Sequence, residues 1–362
     1  MKRYSRIAAL LLAFMLVFGT FSGCKLPDGI TQTVTMGSGT EETQQTPEET
    51  TEPAPTFQVS EEATSAFSAL DLDVFRWYAT MDGYALHMFM DNPANYGVDP
   101  KSVNMTLGEF TEEDTEQTTK EATVYLDRLN AIDREQLPQE KQFSYDVLHD
   151  ILEDYAKDTT EFAYLYEPLT EYTGIHSNMP LSFALFELKN TTDIEDYLTL
   201  LADMPRYMGQ VLAYEQKRAE MGIFMTEPAL DAILEDCKLI IDSRDNSFLY
   251  VTFDDAIDQL TDLTPEQAQT YKDRNASLIQ NEYVNSYQTL YDGLNALRKD
   301  CRSYEEAATY TDLDKRYFES RMQEEGGNSL SVEETLELLK NELAYLLYDI
   351  VSIQSDNPEI YD

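Results

Sequence analysis

Three histidines, His87, His149 and His176, are the only imidazoles in a chain of 362 residues. Zinc-assisted hydrolysis needs three protein ligands around one ion, and a helix supplies two of them when histidines stand four apart with a glutamate beside the first. None of the three is followed by glutamate, so the sequence assigns no catalytic residue and no metal ligand. His149 and Glu153, in HDILE, share a helical face at i,i+4, a spacing that serves a surface contact more often than a metal site. His176 differs because it lies in Gly174-Ile-His-Ser-Asn-Met-Pro180, a stretch bounded by glycine and proline. A loop there would present His176, Ser177 and Asn178 to a ligand. The plainer reading is a turn in which His176 caps or packs locally. No G-x-S-x-G, phosphate loop or CxxC occurs. Tyr164, Tyr166 and Tyr172 before this stretch, with Tyr207 and Tyr214 after it, could line a groove for peptide or sugar, although core packing is the commoner fate of such rings.

The elements that would position these groups read as helix after helix. Apolar residues recur at helical steps through Glu61 to Met90, Glu112 to Ile132, and from Pro138 through Phe143, Val147, Leu148, Ile151 and Tyr155. Val124, Leu126 and Leu129 are expected to face inward. Thr192 with Glu195 predicts a capping box, and Ile194, Tyr197, Leu198, Leu201, Met204, Met208, Val211 and Leu212 then form one face of a helix carrying Pro205 within it. Gly222 stops that helix, and Thr226-Glu-Pro228 restarts the next. Thr264 with Gln267 predicts a capping box for a long helix through Leu297; Ser331 with Glu334 predicts one for the last helix, whose Leu336, Leu339, Leu343, Leu346 and Ile350 form a stripe expected to be buried. Strand signals are few and short, the best being Phe248 to Phe253. The class is therefore mainly α.

Lys2, Arg3 and Arg6 precede an apolar run from Ile7 to Phe21, and Ser22-Gly23-Cys24 follows. This is the pattern of a lipoprotein signal over residues 1–23, with Cys24 as the lipidated first residue of a chain tethered to the extracytoplasmic face of a membrane. Residues 24–60 are rich in Thr, Glu, Pro, Gly and Ser and hold too little apolar surface to order, so they read as an acidic tether. Residues 61–362 read as one helical domain. The 26 basic residues are outnumbered by 68 acidic ones, a formal charge of −42, which excludes nucleic acid as a partner. Cys237 and Cys301 both fall in helical patterns and read as buried free thiols in preference to a disulfide.

The order TGIHSNMPLSFALFEL, DIEDYLTLLADMPRYMGQVLAYEQ and GIFMTEPALDAILEDC, with NPANYGVDP and LGEF upstream and KRYFESRMQEEGGNSLSVEE downstream, resembles the bacterial family called domain of unknown function 885. The likeness runs from about residue 60 to the C-terminus. It implies a large multi-helix domain similar to the N-terminal helical lobe of zinc-peptidase-like proteins. Many members look like zinc metallopeptidases with a His-Glu pair and a Pro-Gly-His in a C-terminal half, neither of which occurs in this sequence. Zinc is accordingly expected only in full-length relatives. The resemblance implies a non-catalytic lobe, from a truncated or split gene product, which would meet peptide substrate or a C-terminal companion segment. A stand-alone peptide- or solute-binding surface lipoprotein is the alternative. Truncation would leave the last helix with a wide apolar face exposed.

Overall fold

The computed structural model describes residues 59–157, 160–357 and 359; Cys24, the leader and nearly all of the tether lie outside the described residues. The mainly-α expectation holds. Helices account for most of the chain, and among the described residues β-structure is confined to two isolated bridges, Leu169 with Gly174 and Thr226 with Arg302.

The N-terminal helical pattern resolves into two elements, α1 (Glu61–Ala79) and α2 (Gly83–Phe89), because the Asp82 side chain accepts from Ala85 N and starts a new helix. Helices α3 (Glu112–Asn130) and α4 (Gln139–Ala156) pack on each other and on α1. Phe67, Leu70, Val74, Leu129, Leu137, Tyr145 and Leu152 form the core between them. Of the face expected for α4, Tyr155 is buried and Leu148 packs against the core, joined by Tyr145 and Leu152, whereas Phe143, and Val124 of α3, are exposed.

The larger core surrounds α6 (Thr191–Glu220), a single helix with Pro205 inside it. Its N-cap is Asn190, not Thr192: the Asn190 Oδ1 accepts from Thr192 N at 2.8 Å and from Asp193 N at 3.2 Å. Glu195 is unavailable for a capping box because it forms a two-pronged pair with Arg274 at 2.7 and 2.8 Å. Around α6 lie α5 (Ile175–Ala184), α7 (Glu227–Asp242), α8 (Phe248–Gln259), α9 (Pro265–Leu278) and α10 (Val284–Ala296). The Phe248 to Phe253 run is thus helical, not a strand; Leu249, Phe253 and Ile257 are buried while Val251, which a strand would turn to the same side as Leu249 and Phe253, is exposed. The long helix expected from Thr264 to Leu297 begins with the expected capping box, but a π-helical turn, Ile279–Tyr283, separates α9 from α10. At Gly293 a Cβ would stand 2.3 Å from Leu212 Cδ2, so the Leu212 side chain of α6 occupies the space that glycine leaves open on α10.

The extended segment before α3 is strapped to α6 by side chains. Asp203 accepts from Leu107 N at 2.9 Å, Gln210 accepts from Phe110 N at 2.9 Å, and Arg206 donates to Gly108 O at 2.8 Å. Backbone groups that no ladder satisfies thereby find partners. The chain ends in α11 (Tyr304–Ala307), α12 (Asp312–Gly326) and α13 (Val332–Asp356). Ser331 and Glu334 cap α13 as expected. The stripe on α13, however, is not buried: no residue of the helix is, and Leu336, Leu339, Leu343, Leu346 and Ile350 all face solvent. The periodicity makes an apolar face and leaves open what covers it.

Candidate functional site

The Gly174 to Pro180 stretch is helical, not a loop. Gly174 is the N-cap of α5, and Ser177 Oγ accepts from Gly174 N at 3.0 Å, closing the first turn. A helix fixes the directions of successive side chains about 100° apart, so His176, Ser177 and Asn178 cannot converge on one ligand. His176 points inward and is 1% exposed; Ser177 and Asn178 are exposed.

His176 belongs to a buried polar node. Its Nε2 lies 3.3 Å from Asp236 Oδ2 on α7, and its carbonyl accepts from Tyr287 OH at 2.7 Å. Its Nδ1 is buried with no hydrogen-bond partner. Burial lowers the His176 pKa against the opposing pull of Asp236, which favours the neutral ring. Next to Asp236, the Cys237 thiol is pushed up to about 12 by burial. Tyr283 of the π turn packs on Tyr287 with ring centroids 5.2 Å apart. Groups of catalytic type therefore meet here inside the core.

Both described cysteines are free thiols, Cys237 buried and Cys301 partly exposed. A thiol reagent should modify Cys301 in the folded protein and leave Cys237 untouched until the chain is unfolded, a difference read directly by mass spectrometry of labelled peptides.

A second polar node lies at the C-terminal end of α6. Arg218, 2% exposed, donates to Tyr164 O at 3.0 Å, to both Glu215 oxygens at 3.2 Å and to Glu167 Oε1 at 2.8 Å. Tyr164 adopts a left-handed backbone, φ 67°, and stacks on Tyr214 at 4.8 Å. The Tyr214 hydroxyl donates to Tyr166 O at 3.0 Å. Tyr207 and Tyr214 are therefore core residues, Tyr214 pinning the segment before α5 and Tyr207 packing on Phe110, while Tyr172 is at the surface. These rings do not form a groove.

An open cleft of about 880 Å³ runs between α4 and α12, bordered by Asp150, Glu153, Asp154, Lys157, Glu324 and Glu325. It is within the size range of small-molecule sites, and its border is acidic. His149 stands beside it, with Nδ1 3.9 Å from both Asp150 Oδ1 and Glu153 Oε2. These three side chains are the one group among the described residues whose atoms lie close enough to share a metal ion. Both carboxylates are strongly exposed, so the arrangement is that of a surface contact along one helical turn. Sequence reasoning singled out the His149–Glu153 pair but missed Asp150, since i,i+1 neighbours do not normally face each other.

Residues 93–357 match the family of bacterial proteins of unknown function DUF885, and the chain belongs to that family. Its fold is similar to that of a candidate lipoprotein from Colwellia psychrerythraea whose crystal structure is known, with a TM-score of 0.65 at 13% identity. The match covers 82% of this chain and 51% of that one, so the chain aligns with about half the length of its structural neighbour. No curated protein matches the chain. Among the described residues no helix is long and apolar enough to cross a membrane.

Proposed function

We propose that the protein is an extracytoplasmic lipoprotein, anchored through lipidated Cys24, whose helical domain serves as the non-catalytic lobe of a zinc metallopeptidase-like assembly. A companion segment would supply the zinc ligands and the general base. The uncovered apolar face of α13 carries this reading: its six stripe residues from Leu336 to Ile353 are each at least 48% exposed, more than a finished surface needs. The half-length alignment with the candidate lipoprotein from Colwellia psychrerythraea supports it. The chain's own role would be to form one wall of the substrate cleft, a binding contribution in an enzyme whose bond-breaking groups lie elsewhere. The acid-bordered cleft between α4 and α12 favours a second reading, a stand-alone lipoprotein that captures basic peptides or small cationic solutes.

Two assays on the full chain test the first reading. Metabolic labelling with an alkynyl palmitate in a bacterial host should tag the wild type and not Cys24→Ala; an untagged wild type removes the anchor. Supplied with zinc, the purified chain should leave a fluorogenic peptide library intact, and cleavage abolished by a chelator would overturn the non-catalytic assignment.

A further inference from the structure

The apolar positions on α13 do more than form a patch. Val332, Leu336, Leu339, Leu343, Leu346, Ile350 and Ile353 follow one another at alternating steps of four and three, a repeat of 3.5 residues sustained over three heptads. Such a repeat keeps one apolar stripe in register along the helix, so that another helix can lie against it over its length. The six positions from Leu336 to Ile353 are each 48% to 56% exposed. From Leu336 to Asp356 every residue except Ser352 is exposed, so the helix stands clear of its own domain.

The residues beside the seam select the occupant. Glu333, Glu342, Asp349 and Asp356 flank it, with Lys340 the single basic residue at such a position. A second copy of the chain would bring the same acids against these, on a molecule already carrying a formal charge of −42. The geometry points to α13 as the docking site for an amphipathic helix of the companion segment, one whose apolar stripe is flanked by lysine or arginine. This rests on the companion invoked above and adds the chemistry by which it is recognised. The seam side chains supply the contact area, and the flanking acids supply orientation and partner choice.

The test uses the full chain and two fluorescent helical peptides with identical leucine and isoleucine seams, one flanked by lysine and the other by glutamate. The lysine peptide should bind at least roughly tenfold more tightly, with the preference shrinking as salt rises. The double variant Leu343→Gln/Leu346→Gln should lose at least roughly tenfold in affinity while its thermal midpoint stays that of the wild type, since neither side chain is buried. Equal binding of the two peptides, binding of neither, or an unaffected variant would overturn the assignment. So would a wild-type dimer in sedimentation that the double variant abolishes, which would make a second copy the occupant, or partition of α13 onto phosphatidylcholine vesicles in place of peptide. Failure here with palmitate labelling and peptidase inactivity intact removes only the seam; peptide cleavage by the chain alone removes the underlying reading whatever the peptides do.

Discussion

Arg218→Ala is expected to lower the unfolding free energy by about 3–5 kcal/mol, as breaking one partner of a buried ion pair generally does. The side chain satisfies the Tyr164 carbonyl and two carboxylates at once, and Glu215 has 0% exposure, so its removal strands an acid in the core. Burial works against the charge of Arg218, but Glu215, Glu167 and Tyr214 together outweigh it and hold the guanidinium pKa above its ordinary value. For Glu215 desolvation wins over the attraction of Arg218 and pushes the carboxyl up to about 7. A free glutamate titrates near about 4.3. The folded state therefore holds the proton more tightly than the unfolded state. The stability this group contributes is fully present below the unfolded value and is lost as pH rises through about 7. Denaturant melts between pH 5 and 8 should accordingly show stability falling across that window, and Glu215→Gln should flatten the slope. An unchanged slope in Glu215→Gln would remove Glu215 as its source.

Tyr287→Ala should cost a similar amount, about 3–5 kcal/mol, because it empties a fully buried aromatic site between α10 and α5. The conservative change separates two contributions. Tyr287→Phe keeps the ring against Tyr283 and removes only the donor to the His176 carbonyl, which is then left buried and unpaired, at a cost of about 1–3 kcal/mol. Asn178→Ala, two residues after His176 on the exposed side of α5, should change stability by no more than about 0.5 kcal/mol. Urea unfolding followed by circular dichroism measures all three. A Tyr287→Phe variant as stable as the wild type would show that the carbonyl finds another partner and that the node around His176 is not held by this bond.

Both predictions concern groups of catalytic type that serve the fold. Tyrosines, a histidine, a cysteine and paired acids were visible in the sequence as candidates, and their types alone could not tell a cleft from a core. The difference lies in which helical face each occupies, and at His176 that depended on Gly174 capping a helix where glycine and proline had suggested a loop. Proline at the sixth position of α5 and the fifteenth of α6 is accommodated within helices, so tertiary packing overrides the local break that proline favours.

What the sequence determined by itself is what local chemistry dictates. Side-chain caps at Thr264 and Ser331 set helix starts from contacts only three residues apart. The 3.6-residue period of α6 marked its buried face, since nearly every residue of the expected stripe from Ile194 to Val211 is buried. The ordered family segments carried the resemblance that the match over residues 93–357 bears out. Tertiary structure decided the rest. The Phe248 to Phe253 run has the composition of a strand, yet it packs as a helix against α9 and α5, burying Leu249 and Phe253 and leaving Val251 between them exposed. The Asn190 cap prevails over Thr192 because Arg274, distant in sequence, takes Glu195 away. The apolar stripe of α13 is as periodic as that of α6, yet one is the centre of the core and the other faces water. Periodicity records that a face is apolar; whether it meets a partner within the chain depends on contacts that no local pattern encodes.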